Sequence, residues 1–90
     1  MVTALKDENS IVNKAKGVMF NFNVRLSSNA RLLYVALLVA EEGQVLTHTD
    51  LMEVTGIKSA PTIIKTVKEL QESGLIAVTR LSKGQIYKVL

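Results

Sequence analysis

Basic and hydroxyl side chains recur at helical spacing within one short stretch of this 90-residue sequence. The set consists of Lys58, Ser59, Thr62, Lys65 and Lys68. At roughly 100° per residue, the last three fall on the side of a helix opposite an apolar stripe. The N-terminus of a helix also presents unpaired N–H groups and a positive dipole end, both of which attract anions. The chemistry that this stretch offers is therefore the binding of phosphate groups.

The order of charges along the same predicted helix indicates an anionic partner. Lys65 and Lys68 come before Glu69 and Glu72, whereas the helix dipole favours early acids and late bases by about 0.3 to 1 kcal/mol per charge. The alternative is a solvated face with i,i+4 pairs, Lys65 with Glu69 and Lys68 with Glu72. We predict DNA contact because a second basic group follows on or beside a predicted hairpin, where it can reach phosphates. That group consists of Arg80, Lys83 and Lys88.

The overall charge is modest but unevenly distributed. The net charge is +3, and residues 58–90 hold six Lys and Arg side chains against two Glu. A basic end of this kind favours a partner that carries negative charge.

The remaining residues show no catalytic or metal-binding pattern. The sequence has no cysteine and a single histidine, His48, whereas metal sites need several such ligands. We expect His48 to be an exposed residue in the first turn of a helix. The five glycines are scattered, without the spacing of a phosphate-cradling loop. We therefore predict that the protein is not an enzyme and needs no metal or cofactor.

The N-terminal part of the chain carries two different patterns. Residues 1–16 have no clean period, and we interpret them as a tail or as a short helix over residues 4–16. The length allows one compact core, which we assign to a single domain over residues 17–90. Its first element is VMFNFNVR, residues 18–25, where apolar and polar residues alternate. Alternation of this kind predicts a half-buried strand.

The next element is a helix that is apolar on every side. Ser27 is a suitable N-cap and Gly43 a suitable residue just beyond the C-terminus, so we predict a helix over residues 28–42. Between Leu32 and Ala40 every side chain is apolar. Either the rest of the chain covers this helix on all sides, or part of it meets a second chain.

Two further helices and a hairpin complete the pattern. Thr47 with Asp50 resembles a capping box and begins a short helix that Gly56 ends. Ser59 begins the next helix, residues 59–73, with a proline tolerated in its first turn. Its apolar stripe consists of Ala60, Ile63, Ile64, Val67 and Leu70. Residues 75–81 and 85–90 flank Ser82-Lys83-Gly84 and predict a β-hairpin.

The sequence over residues 45–90 resembles the winged helix-turn-helix superfamily of DNA-binding regulators. The resemblance rests on LTHTDLMEVTGI, the helix TIIKTVKELQESGLI and the hairpin that follows. LSSNARLLYVALL, residues 26–38, is similar to the first helix of winged-helix domains in phage and plasmid replication initiators. The expected fold class is α+β, a winged helix-turn-helix with a three-helix core, a C-terminal hairpin wing and an extra N-terminal strand.

The resemblance implies a function in DNA binding. We expect a transcriptional regulator that places helix 59–73 in the major groove of double-stranded DNA and hairpin 75–90 on the flanking backbone. One alternative is the origin-binding domain of a replication initiator. Another is an adaptor that binds protein and no DNA, which gains support if Lys58, Lys65, Arg80 and Lys83 do not converge on one surface.

Two expectations concern the protein's surroundings. A homodimer could form through helix 28–42 or through strand 18–25. The start of the sequence has no apolar signal region, and the longest apolar run is far shorter than the roughly 20 residues of a membrane span. We therefore expect a cytoplasmic protein without a membrane partner.

Overall fold

A computed structural model of the protein describes residues 8–20 and 25–90. Within these ranges, four helices surround a core and pack against a three-stranded antiparallel sheet of strand order β1-β3-β2. The elements are α1 (Glu8–Met19), α2 (Ser28–Val39), β1 (Val45–Leu46), α3 (His48–Thr55), α4 (Ala60–Glu72), β2 (Ile76–Leu81) and β3 (Gly84–Val89). A helix-turn-helix followed by a hairpin confirms the predicted α+β winged-helix architecture.

The helix-turn-helix begins and ends at the residues that the sequence predicted. The Asp50 N–H donates to Thr47 Oγ1 at 3.1 Å and the Thr47 N–H donates to Asp50 Oδ2 at 2.9 Å, which completes the capping box of α3. Gly56 ends α3 in the left-handed conformation, with φ of 77°. Ser59 Oγ accepts the Thr62 N–H at 3.4 Å and caps α4. Local side-chain chemistry thus fixes the turn between the two helices.

The core is formed where α2, α3 and α4 meet. Leu33, Leu51, Ile63 and Leu70 are its fully buried large side chains. Ile76 of β2 joins them, so the hairpin is attached to the helical core at its first residue.

The buried face of α4 differs from the predicted stripe at one position. Ile63, Val67 and Leu70 are buried, but Ile64 is 50% exposed. Thr66 is buried instead, and its hydroxyl donates a hydrogen bond to the Thr62 carbonyl at 2.7 Å. The core therefore lies on the Ile63–Thr66 side of the helix, about 100° away from Ile64.

The predicted strand over residues 18–25 is wrong at its first residues, which end a helix instead. Val18 and Met19 are the last residues of α1, and Phe20 is 71% exposed in a bend. Val18 reaches the core from the same helix face as Ile11 and Ala15. The Arg31 guanidinium donates from Nη1 to the Val18 and Met19 carbonyls, both at 3.0 Å. Residues 21–24 lie outside the described residues.

The N-terminal helix also differs from the sequence interpretation. It runs to Met19, across the position between residues 16 and 17 that separated the predicted tail from the domain. Residues 1–7 lie outside the described residues.

The α2 helix ends three residues earlier than predicted. Its last residue is Val39, and the Ala40 N–H donates to the Ala36 carbonyl at 3.2 Å. Gly43 lies in a separate turn, in which the Gln44 N–H donates to the Glu41 carbonyl at 3.2 Å. This turn directs the chain into β1.

The short strand β1, over Val45–Leu46, was predicted only as an apolar link. Val45 pairs with Ile86 and Leu46 pairs with Gln85, so β3 becomes the central strand. The Leu81↔Gly84 pair makes the hairpin turn Ser82-Lys83, with Gly84 as the first residue of β3 rather than part of the turn. A Cβ on Gly84 would lie 2.8 Å from Val45 Cγ1 and 3.0 Å from the Leu46 carbonyl oxygen. Only glycine lets β1 come this close.

Across residues 8–20 and 25–90, none of the helices has the length and apolar character that crossing a membrane requires.

Candidate nucleic-acid interface

The outward face of α4 is basic over its middle turns. Pro61, Lys65, Lys68 and Glu72 are all exposed, and their i, i+4, i+7, i+11 spacing places them opposite the core. Among the described residues, neither lysine forms an ion pair with an acidic side chain of α4. The i,i+4 pairs considered from the sequence are therefore not formed, and both ammonium groups are presented to solvent.

Glu69 faces the first turn of α2 instead of the basic face. Its Oε2 accepts the Ser27 N–H at 2.7 Å and its Oε1 accepts the Ser27 hydroxyl at 2.8 Å. The Ser27 hydroxyl oxygen in turn accepts the Ala30 N–H at 3.1 Å. Glu69 thus completes the cap of α2, and Glu72 is the acid that remains on the outward face of α4.

The N-terminal end of α4 presents the first predicted contact residues. Lys58 and Ser59 are exposed in the turn before the helix. Thr62 is half-buried, and its backbone N–H is bonded to the Ser59 hydroxyl oxygen. Lys58 and the cap are therefore open to an anion, whereas Thr62 offers less surface.

A groove of about 320 Å³ separates α4 from the hairpin. Lys68 borders it from the helix and Arg80 borders it from β2. The other lining residues are His48, Ile64, Val67, Gln71, Val78 and Tyr87. The fold therefore brings a basic side chain of the helix and one of the hairpin to the two sides of one groove.

The hairpin side of the groove is a small cluster around Arg80. Arg80 pairs with Gln85 across the two strands, and the Tyr87 hydroxyl donates to Gln85 Oε1 at 3.3 Å. Burial raises the pKa of the Tyr87 phenol, and the positive charge of Arg80 partly opposes that rise. Arg80 and Tyr87 line the same groove.

The two remaining predicted contacts lie in different places. Lys83 is exposed in the turn at the tip of the hairpin. Lys88 pairs with Ala77, and strand alternation puts it on the sheet face opposite Arg80. It lines a second groove, of about 520 Å³, together with Lys14 of α1. The structure therefore does not bring Lys88 to the groove that Lys68 and Arg80 border.

Sequence reasoning missed three of the residues beside Lys68 and Arg80. Ile64 was assigned to the core, although its position at the edge of the apolar stripe could have signalled exposure. Gln71 lies two helical turns after Ile64 and follows from the same geometry. His48 lines the groove because of how α3 packs, which no local pattern shows.

A second exposed face, on α2, has the opposite chemistry. Leu32 is 43% exposed and Val39 is 68% exposed, with half-buried Val35 and Ala36 between them. The four residues have the i, i+3, i+4, i+7 spacing of one helix face. We call them the α2 apolar face.

Within the described ranges there is no group of three or more His, Cys, Asp or Glu side chains arranged to hold a metal ion.

Two solved structures with similar folds confirm the winged-helix architecture. The ferric uptake regulator Fur of Helicobacter pylori, described with three functional metal binding sites, has a TM-score of 0.58 and 16% identity. The alignment covers 98% of this chain and 61% of Fur, so the chain spans less than two thirds of that protein. TubR bound to 24 bp of tubC, from Bacillus thuringiensis serovar israelensis pBtoxis, has a TM-score of 0.52 and 25% identity, covering 99% of this chain and 85% of TubR. The sequence matches no protein-family model, and no curated protein matches it significantly.

Proposed function

We propose that this protein binds double-stranded DNA as a winged-helix transcriptional regulator. In this proposal α4 enters the major groove, which is about 12 Å wide and admits a helix, and the β2–β3 hairpin lies on the flanking backbone. The observation that carries the proposal is the groove between α4 and the hairpin, which Lys68 and Arg80 border from opposite sides. The likeness to TubR, solved on DNA, supports it.

Five basic residues have proposed roles in this arrangement. Lys58 and the Ser59 cap meet a phosphate at the N-terminus of α4, where the helix dipole is positive. Lys65 and Lys68 follow on the outward face, and Arg80 and Lys83 contact the backbone beside the major groove. Contacts by Thr62 and Lys88 stay predictions, since Thr62 is half-buried and Lys88 lies on the other sheet face.

Two observations favour DNA over the adaptor alternative. The adaptor hypothesis drew support from Glu69 and Glu72 on the recognition face, but both Glu69 carboxylate oxygens are bonded to Ser27, so of the two acids Glu72 stays on the outward face. It would also gain support if Lys58, Lys65, Arg80 and Lys83 did not converge. Of these four, Arg80 lines the groove between α4 and the hairpin, and Lys68 borders the same groove from the helix. An origin-binding role would use the same surface and differ in its target, which lies at a replication origin rather than at a promoter.

We further propose that the protein is a homodimer through the α2 apolar face. A single winged helix makes few phosphate and base contacts, so two copies on adjacent half-sites provide the specificity that a regulator needs. Within the described part of the chain, Leu32 and Val39 of the α2 apolar face stay exposed, and the face carries no charge. The alternative route, through a strand over residues 18–25, loses its first residues, because Val18 and Met19 are helical.

The test is fluorescence anisotropy of a labelled random-sequence duplex titrated with the protein. We expect affinity to fall about a hundredfold or more between about 50 and 200 mM salt, because each neutralised phosphate releases a counterion. The double variant Lys58→Glu, Lys65→Glu should lose at least about tenfold at the lower salt and show a shallower salt slope. Both residues are exposed and neither belongs to the core, so this variant should stay folded.

The matched control reverses two lysines elsewhere. Lys14→Glu, Lys16→Glu changes the net charge by the same amount on exposed positions of α1. It should keep the steep salt slope and most of the affinity. Equal losses of affinity in the two double variants would show that binding depends only on net charge. A folded protein that binds no duplex at low salt would refute the proposal.

A further inference from the structure

Ile64 is an apolar side chain on the surface of α4 that faces DNA in the proposed complex. It is the fifth residue of α4, it is 50% exposed, and it borders the groove together with Lys68. Pro61, one turn earlier, is also exposed. The leading half of the helix therefore presents an apolar strip, with the lysines following it.

The same half of the helix has none of the amide or guanidinium side chains that usually read bases. Arg reads guanine and Asn or Gln reads adenine through paired hydrogen bonds in the major groove. Residues 58–65, KSAPTIIK, contain no Arg, Asn or Gln. Apolar contact with the C5-methyl group of thymine is a further form of direct readout in that groove, and it needs an exposed apolar side chain.

We propose that Ile64, with Pro61 beside it, reads the C5-methyl group of thymine in the major groove. This inference rests on the proposed function, because it requires α4 to lie in that groove. Contact between the methyl group and the isoleucine removes apolar surface of both from water. One methyl group of this kind changes affinity by about three- to fivefold.

The experiment compares thymine with uracil, which lacks only that methyl group. A binding site is first enriched from a random-sequence pool with the wild-type protein. Each thymine of that site is then replaced singly by deoxyuridine, and affinity is measured by anisotropy. We expect wild type to lose about three- to fivefold at one or two positions and Ile64→Ala to bind both duplexes equally at those positions.

A matched control removes a similar exposed side chain from another helix. Val54 of α3 is 63% exposed and does not line the groove between α4 and the hairpin. Val54→Ala should keep the wild-type preference for thymine, and circular dichroism should show that both variants are folded.

Three results would overturn the inference. The first is a wild-type protein whose affinity is unchanged by every uracil replacement. The second is a uracil penalty that persists in Ile64→Ala, which would assign the preference to DNA shape or to another side chain. The third is a folded protein that binds no duplex at all, which also refutes the proposed function and is thereby distinguished from the other two.

Discussion

Helices α2 and α4 share one core but expose opposite chemistry. They have 12 and 13 residues, and both bury one face against the other. The exposed face of α4 carries Lys65 and Lys68, whereas that of α2 carries Leu32 and Val39. Because the two helices have similar packing roles, we attribute the difference between their outer faces to the partners we propose for them, DNA for α4 and a second copy of the chain for α2.

The two helices are also joined directly. Glu69 of α4 holds the N-terminal cap of α2 through Ser27, at 2.7 and 2.8 Å. In a dimer through the α2 apolar face, this connection fixes the position of each α4 relative to its partner's. Half-site spacing on DNA would then follow from the dimer geometry.

The largest expected effect is on self-association through α2. The double variant Leu32→Lys, Val39→Lys places charges in the proposed interface, where they would lose their hydration. We expect the dissociation constant of the dimer to rise about a thousandfold by sedimentation equilibrium. Lys65→Gln, on the exposed face of α4, should leave association unchanged. Identical association of wild type and the double variant would place the dimer interface elsewhere or show that the chain is monomeric.

The next effect concerns the attachment of the hairpin. Gly84→Ala introduces a Cβ within 2.8 Å of Val45 Cγ1 at a φ of 149°, so steric overlap adds to backbone strain. We expect the free energy of unfolding to fall by about 2 to 4 kcal/mol in urea denaturation.

The control for that prediction is the same chemical change in α1. Gly17 is helical, and a Cβ there would meet nothing within 4 Å. Gly17→Ala should therefore stabilise the protein by about 0.5 to 1 kcal/mol. If Gly84→Ala did not lower the free energy of unfolding either, the close approach of β1 would not be the reason for glycine at position 84.

A smaller effect tests the connection between the two helices. Glu69→Ala leaves the Ser27 N–H and hydroxyl without their carboxylate partner, and we expect thermal unfolding to show a loss of about 1 to 2 kcal/mol. Glu72→Ala, on the exposed face of the same helix, should change stability by less than about 0.5 kcal/mol. Similar losses of stability in the two variants would show that Glu69 does not stabilise the cap of α2.

The smallest effect tests the cluster on the hairpin. The positive charge of Arg80 lowers the pKa of Tyr87 against the larger effect of burial, which raises it. Arg80→Gln removes the lowering effect, so the pKa of Tyr87 should move further above its usual value in an NMR titration of the ring signals. A downward movement would show that the guanidinium is not beside the phenol.

The parts of the fold that depend on neighbouring residues were predictable from sequence. The caps at Thr47 and Ser59 and the turn at Gly56 require only side chains within three or four positions. The hairpin follows from two strand-like runs around a short turn.

The parts of the fold that depend on tertiary packing were not predictable from sequence. Residues 18–25 alternate like a strand, yet Val18 lies in the core at helical spacing from Ile11 and Ala15, and packing decides the structure of Val18 and Met19. The strand β1 is two residues long, too short for a pattern. The position of Lys88 depends on which face of the sheet meets the core, which the assembled fold determines, whereas Ile64 lies at the edge of the apolar stripe and its exposure had a sequence signal.

The most direct test of DNA binding through α4 and the hairpin is a ¹H–¹⁵N NMR titration of the protein with a duplex. We predict that the backbone amide signals of residues 58–68 and 79–84 shift as DNA is added, while those of the α2 apolar face do not. Shifts that concentrate on α1 and α2 and spare α4 would contradict the account, because the DNA would then occupy the face assigned to a second copy of the chain.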